Sequence, residues 1–273
     1  MTSDASAPTG SLIPDGLDAT LVLVRHGESE YIVEGRFQGQ AETPLSPTGL
    51  RQAALVGQRL AHPHDPPALP VPLGTLREIV HSPLRRTTQT AEAIVSSIGA
   101  SPGARPDPGF LEIGQGEWEG LHRSEIDARY APILAGWRRR PTETWAPGGE
   151  ALSAVQARVR LGLIGVLAAL ARGGVPGTLD RSHVPGYGAT QATDPWSILV
   201  GHDGVFKVTL LTLFDIPLER FWMWSMDLAA ITVIEFRAGR PVMRAHNLTD
   251  HLAPLLDEEA QEAQEARSRS GAL

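Results

Sequence analysis

The sequence predicts an α/β fold, a three-layer αβα sandwich around a mostly parallel central sheet. Three observations predict it. Short unbroken apolar runs, such as Leu21 to Val24 and Ile198 to Val200, read as strands buried on both faces. Segments with apolar residues at helical spacing lie between such runs, and that alternation implies a parallel sheet covered by helices on each side. Two of the runs also end alike, in a histidine beside glycine: Arg25-His26-Gly27 near the start and Gly201-His202 far downstream. Right-handed crossovers bring successive strand ends to one edge, where ligands sit in open α/β sheets.

Each element follows in order. Residues 1–18 are small, polar and rich in proline and glycine, which predicts a disordered lead without the regions of a signal peptide. Ala19 to Arg25 is the first strand. Ser46-Pro47 starts a helix, with serine as N-cap and proline at the first helical position, running through Leu50, Ala54 and Leu55 to about Leu60. A proline-rich connection spans His62 to Pro72. Glu78 to His81 is a short strand, and Ser82-Pro83 opens a helix with a stripe at Ala91, Ile94, Val95 and Ile98. Glu150 to Ala171 is the longest helical signal, its face formed by Leu152, Val155, Val159, Leu163, Val166, Leu167 and Leu170. Gly173 to Pro195 has no periodicity and reads as a mobile loop insertion. Ser197 to Val200 is a strand, and Val205 to Phe214 a nearly all-apolar buried helix. Ala230 to Phe236 and Pro241 to Ala245 form a hairpin turning at Ala238-Gly239. The segment 257–273 is an acidic, frayed tail, so one domain is expected over 19–256.

Composition narrows the function classes. The 273 residues are 42% hydrophobic, enough for a sizeable core, and carry a net charge of −7. That field disfavours bulk attraction to nucleic acid or anionic membranes. There is no cysteine, which excludes disulfides, thiolate metal sites and cysteine nucleophiles. No uninterrupted apolar run reaches the roughly 18–20 residues of a membrane span. A soluble cytoplasmic protein is the expectation. Phe221-Trp222-Met223-Trp224 either covers the core, the better reading, or forms the face of a homodimer.

Four segments carry chemistry: Arg25-His26-Gly27-Glu28; Ser82 to Ala91 with Arg85-Arg86 and Gln89-Thr90-Ala91; Leu111-Glu112 followed by Gly116-Glu117-Trp118-Glu119-Gly120; and Gly201-His202. Histidines and arginines gathered at one sheet edge suit an anion. Together these segments resemble the histidine phosphatase superfamily, which includes the cofactor-dependent phosphoglycerate mutases. The resemblance runs from about Leu21 to Leu252, and Asn247 with His251-Leu252 is similar to the family's closing segment.

The resemblance implies a role for each residue. His26 is the nucleophile that becomes phosphohistidine, and Arg25 and Arg86 grip the phosphoryl oxygens as fixed forks of donors. His202, held cationic, stabilises the transferring group from the start of a helix. Glu112, rather than Glu117 or Glu119, protonates the leaving alkoxide and then activates water. Arg86 rather than Arg85 fits the family's pattern. No cofactor or metal is implied, and His62, His64, His81 and His183 read as surface or turn residues without metal-ligand spacing.

The chain departs from the family in places. Ile32 stands where many members carry a phosphate-contacting asparagine. Asp203 stands where glycine is common; it either caps the following helix or raises the pKa of His202. Arg138 to Arg140 form either a solvated helix end or a grip for a second acidic group on the substrate. Gly201-His202-Asp203-Gly204-Val205, Gln115 and the Pro147-Gly148-Gly149-Glu150 turn favour a phosphatase acting on a small phosphorylated substrate. A mutase-type phosphotransferase and a non-catalytic binding module are the alternatives.

Overall fold

A computed structural model describes residues 11–99, 103–172, 193–256 and 258. The strands are β1 (Ala19–Arg25), β2 (Leu76–His81), β3 (Ala104–Pro106), β4 (Trp196–Gly201), β5 (Ile231–Arg237) and β6 (Arg240–Leu248). The helices are α1 (Glu30–Val33), α2 (Pro47–Ala61), α3 (Arg85–Ile98), α4 (Arg123–Arg139), α5 (Leu152–Ala171) and α6 (Asp203–Leu213). One six-stranded sheet has the order β3-β2-β4-β1-β5-β6. β1 to β4 pair in parallel, whereas β5 runs antiparallel to β1 and to β6.

Strand periodicity builds the layers. Leu21 and Leu23 of β1 enter a core with Val155, Val159 and Leu163 of α5 and Val205 and Phe206 of α6. Val22 and Val24 point the other way, into a core with Val56 and Leu60 of α2 and Ala91 and Ile94 of α3. Alternate side chains of one buried strand thus feed both outer layers, which is the predicted three-layer sandwich.

Local chemistry sets the element starts. Ser46 caps α2 by accepting a bond from Gly49 N at 3.0 Å, and Pro47 follows it. The Ser82-Pro83 start is corrected: α3 begins at Arg85 after Leu84, and the Ser82 side chain turns to His202 instead. α4 is kinked at Tyr130, two residues before Pro132, whose ring cannot continue the ladder. The hairpin of β5 and β6 turns at Ala238-Gly239, both at positive φ.

The disordered lead is corrected at its end. Leu17 is buried, Leu12 and Ile13 pack on the core, and Ala238 N donates to Asp18 Oδ1 at 2.6 Å. Most of the loop insertion, residues 173–192, and the tail other than residue 258 lie outside the described residues. Of Phe221, Trp222, Met223 and Trp224 only Phe221 is buried in the core, while Trp222 and Met223 are 46% and 52% exposed. α5 has the length and, with a mean hydropathy of 1.6, the composition of a membrane-crossing helix, which a search for unbroken apolar runs passes over. Arg158 and Arg160 interrupt it, and its apolar face is the one packed on the sheet.

Candidate active site

The register of β1 and β4 creates the centre of the site. Arg25 lies opposite Gly201 across the parallel ladder, so the next residues, His26 and His202, emerge side by side. Their ring centroids are 5.0 Å apart and both rings are buried.

The hydrogen bonds define each ring's proton. His26 Nδ1 lies 2.6 Å from Gly27 O. A carbonyl only accepts, so Nδ1 carries the hydrogen and Nε2 keeps its lone pair. Burial, then the charges of Arg86 and Arg25, hold the pKa of His26 well below 6.5, against the opposing pull of the Gly27 carbonyl. The ring is a neutral base with Nε2 open. His202 differs. Arg86 Nε donates to its Nδ1 at 3.2 Å, so Nε2 carries the hydrogen and donates to Ser82 Oγ at 2.8 Å. Burial and the nearby Arg86, His26, Arg25 and Arg158 push its pKa well below 6.5. The expectation of a cationic His202 is therefore corrected: the ring is neutral. Asp203 does not reverse this: its carboxylate pairs with Lys207 Nζ at 2.5 Å and accepts from Met226 N at 3.2 Å, in the first turn of α6.

The arginines are fixed differently. Arg86 is fully buried in the first turn of α3 and spreads its fork over His202 Nδ1, Ala41 O and Gly39 O. Burial lowers its pKa to about 10 despite the nearby Glu112, Glu42 and Glu119. Arg85 is exposed, with its backbone N–H on Glu42, so the structure separates the two neighbours as the pattern predicts. Arg25 is half-buried and donates from Nη1 to Met226 O at 2.5 Å. The Met226–Ala229 loop that receives it is pinned in turn. Asn247 accepts from Asp227 N at 2.6 Å, His251 Nε2 donates to Ala229 O at 3.1 Å, and Ala229 N donates to His26 O. The closing segment thus acts on the site through this loop.

Glu112 meets the N-terminus of α6. Its Oε1 accepts from Ile113 N at 2.8 Å and Val205 N at 2.9 Å, and its Oε2 from Gly204 N at 3.1 Å, two residues beyond His202. Glu117 is exposed and accepts from Tyr130, whereas Glu119 holds Gln40 N and Gln115 N. Of the three, Glu112 is the carboxylate that the fold delivers to the start of α6, the helix that follows His202.

Other predicted residues lie elsewhere. Arg138 to Arg140 are exposed at the end of α4, and Arg140 pairs with Glu143 at 3.3 Å. Ile32 is half-buried on α1. His62 and His64 are exposed, and His183 lies outside the described residues. His81 is a correction: it is buried at the end of β2 and donates from Nδ1 to Ser82 O at 2.8 Å. Sequence reasoning missed Ser82 as the partner of His202 and the Met226 carbonyl as the seat of Arg25. The signal for Ser82 was its place at the carboxyl end of a strand, and for Met226 there was none. No group of three or more His, Asp or Glu suited to a metal ion occurs among the described residues.

Comparisons with known proteins find relatives along most of the chain. Phosphoserine phosphatase 1 of Hydrogenobacter thermophilus is 28% identical over 85% of this chain and 93% of its own length. Glucosyl-3-phosphoglycerate phosphatase of Mycobacterium tuberculosis is 32% identical over 74% of this chain and 78% of its own. The solved structure of the mycobacterial glucosyl-3-phosphoglycerate phosphatase complexed with VO3 superposes with a TM-score of 0.66 at 28% identity, covering 85% of this chain and 100% of that one. The sequence pattern of the histidine phosphatase superfamily (branch 1) matches residues 21–175 and 188–249, leaving a gap inside the loop insertion. The chain belongs to the histidine phosphatase superfamily, branch 1.

Proposed function

We propose that this protein hydrolyses small phosphomonoesters through a phosphohistidine at His26, without a metal. The observation that carries the reading is the His26 ring: neutral, its Nδ1–H tied to Gly27 O, its Nε2 lone pair free beside two arginines. Nε2 attacks phosphorus, and an N–P bond forms as the ester P–O bond breaks. The charge spread over the phosphoryl oxygens meets Arg25 and Arg86. Glu112 passes a proton to the leaving alkoxide. Water then attacks phosphorus, its proton passes to the Glu112 carboxylate, the N–P bond breaks and inorganic phosphate departs. His202 enters neutral. Its Nδ1 accepts from Arg86 Nε and so holds in place a fork that meets the phosphoryl oxygens.

The relatives' names direct the substrate panel to phosphoserine and glucosyl-3-phosphoglycerate, beside 4-nitrophenyl phosphate and other sugar and acid phosphates. The test is phosphate release from this panel with chelator present, for the native protein and for His26→Ala. We expect release by the native protein, none by the variant, and an acid-labile phosphoryl adduct trapped at His26. Faster transfer of the phosphoryl group to a phosphoglycerate than to water would overturn the hydrolase reading in favour of a mutase. No release and no adduct from any ester would leave a binding module.

A further inference from the structure

The Pro147-Gly148-Gly149-Glu150 turn and Arg158 of α5 take no part in the steps above, yet they converge on the backbone that carries Glu112. Arg158 uses all five of its N–H donors. Nε donates to Glu150 Oε1 at 3.0 Å, and Nη1 donates to Gly109 O at 3.0 Å and Leu111 O at 2.7 Å. Nη2 donates to Glu112 O at 3.0 Å and Glu150 Oε2 at 2.8 Å. Glu150 Oε2 also accepts from Gly114 N at 2.7 Å and from Gln40 Nε2 at 3.0 Å. Gln40 Nε2 closes the ring with a 2.9 Å bond to Glu112 O. The carbonyl of Glu112 is thereby held from two sides, by Arg158 and by Gln40.

The turn presses on the same segment. Glu150 N donates to Gly114 O, and Glu117 N to Pro147 O, each at 2.9 Å. A Cβ at Gly149 would come within 2.5 Å of Gly114 O, so only glycine permits this approach. Burial works against ionisation of Glu150, but the bonds from Arg158, Gly114 N and Gln40 outweigh it and keep the carboxyl below its ordinary range. The frame also reaches the phosphate side: Gln40 lies between Gly39 and Ala41, whose carbonyls receive Arg86.

We propose that Arg158, Glu150 and Gln40 form a positioning clamp that sets the reach of the Glu112 carboxyl, so that they govern proton delivery to the leaving group rather than phosphate binding. The inference rests on Glu112 being the general acid. An arginine fork with every donor used fixes the segment in both distance and angle, which a lysine point charge cannot reproduce. A misplacement of about 1 Å at a proton donor costs on the order of 10²-fold in rate.

The experiment compares kcat/KM, which reports steps up to phosphohistidine formation, on two esters. 4-Nitrophenyl phosphate expels a phenolate that needs no proton; the alkyl phosphate turned over fastest in the panel expels an alkoxide that does. Glu112→Gln is expected to depress the alkyl ester by about 10²-fold or more while the aryl ester loses only a few-fold. Arg158→Lys and Gln40→Met are expected to widen the same gap by about tenfold, with the inhibition constant for vanadate changed less than threefold. A loss that is equal for both esters in the clamp variants, while Glu112→Gln widens the gap, would overturn the clamp and leave these residues structural. An unchanged gap in Glu112→Gln would overturn the general-acid reading itself. If Arg158→Lys fails to fold, Gln40→Met decides, because it removes the Nε2 bonds to Glu112 O and Glu150 Oε2 and leaves the five bonds of Arg158 in place.

Discussion

At the scale of single residues, both active-site histidines are neutral, where His202 was expected to be cationic. The cause is crowding. Each ring is buried, and the charges of Arg25 and Arg86 face both. This has a consequence for stability. In the unfolded chain these rings take up protons near pH 6.5. In the native state they do so only well below that value. Between those limits the unfolded state binds more protons, so stability falls as the pH drops below about 6.5 and is indifferent to these rings above it. Each ring contributes a slope of up to about 1.4 kcal/mol per pH unit. Urea unfolding at pH 7.5 and pH 5.5 is expected to show this loss, and His26→Gln to show a shallower one. A variant that kept the whole native slope would show that His26 is not held neutral. Residue identity was legible where a side chain does one job: the resemblance to the family's pattern set His26, Arg86 and Glu112 apart from their neighbours. Protonation was not legible, because it depends on which groups the fold crowds together.

At the scale of elements, the loop between β1 and α2 is locked by two glycines in contact. A Cβ on Gly27 would lie 2.5 Å from Gly49 O, and a Cβ on Gly49 would collide with Glu28 O. Ser46 joins the lock by donating to Glu28 Oε1 at 2.6 Å while it caps α2. Gly49→Ala is therefore expected to destabilise the protein by about 1–3 kcal/mol as overpacking. It should also lower kcat/KM by on the order of 10²-fold, since the shift falls on the His26 loop. Thermal melts beside initial rates would check both; a normal melt with normal rates would show that the loop can yield. Elements with strong periodicity, such as α5 and β4, were readable along most of their length. The three-residue β3 was too short to show a period, and α1 buries no residue that could mark it. The start of α3 was misplaced because Ser82 has the chemistry of a cap but is committed to His202.

At the scale of the whole molecule, the sheet has a working end and a remote end. α5 finishes at Ala171 and β4 begins at Trp196, so the insertion leaves and re-enters the described fold at the amino end of β4. His202 lies past the other end, six residues on, or about 20 Å at 3.3 Å per residue. Replacing residues 176–187, which the family pattern does not match, with a short Gly/Ser link is expected to leave kcat/KM for 4-nitrophenyl phosphate within about threefold. Near-complete loss with an unchanged melt would show that the insertion reaches the site. The parallel ladder of β1 and β4 has a last consequence. The separation of the two histidines is set by counting residues along paired strands, not by the fit of flexible side chains. It can change only in jumps of about 3.3 Å, and a slip of one residue turns every side chain to the opposite face. The register is therefore kept whole or lost outright, and finer placement of the rings falls to the loops that follow the strands. Diversification among descendants of this chain must fall on the loops around the ladder, which makes the ladder the fixed part and the choice of ester the variable one.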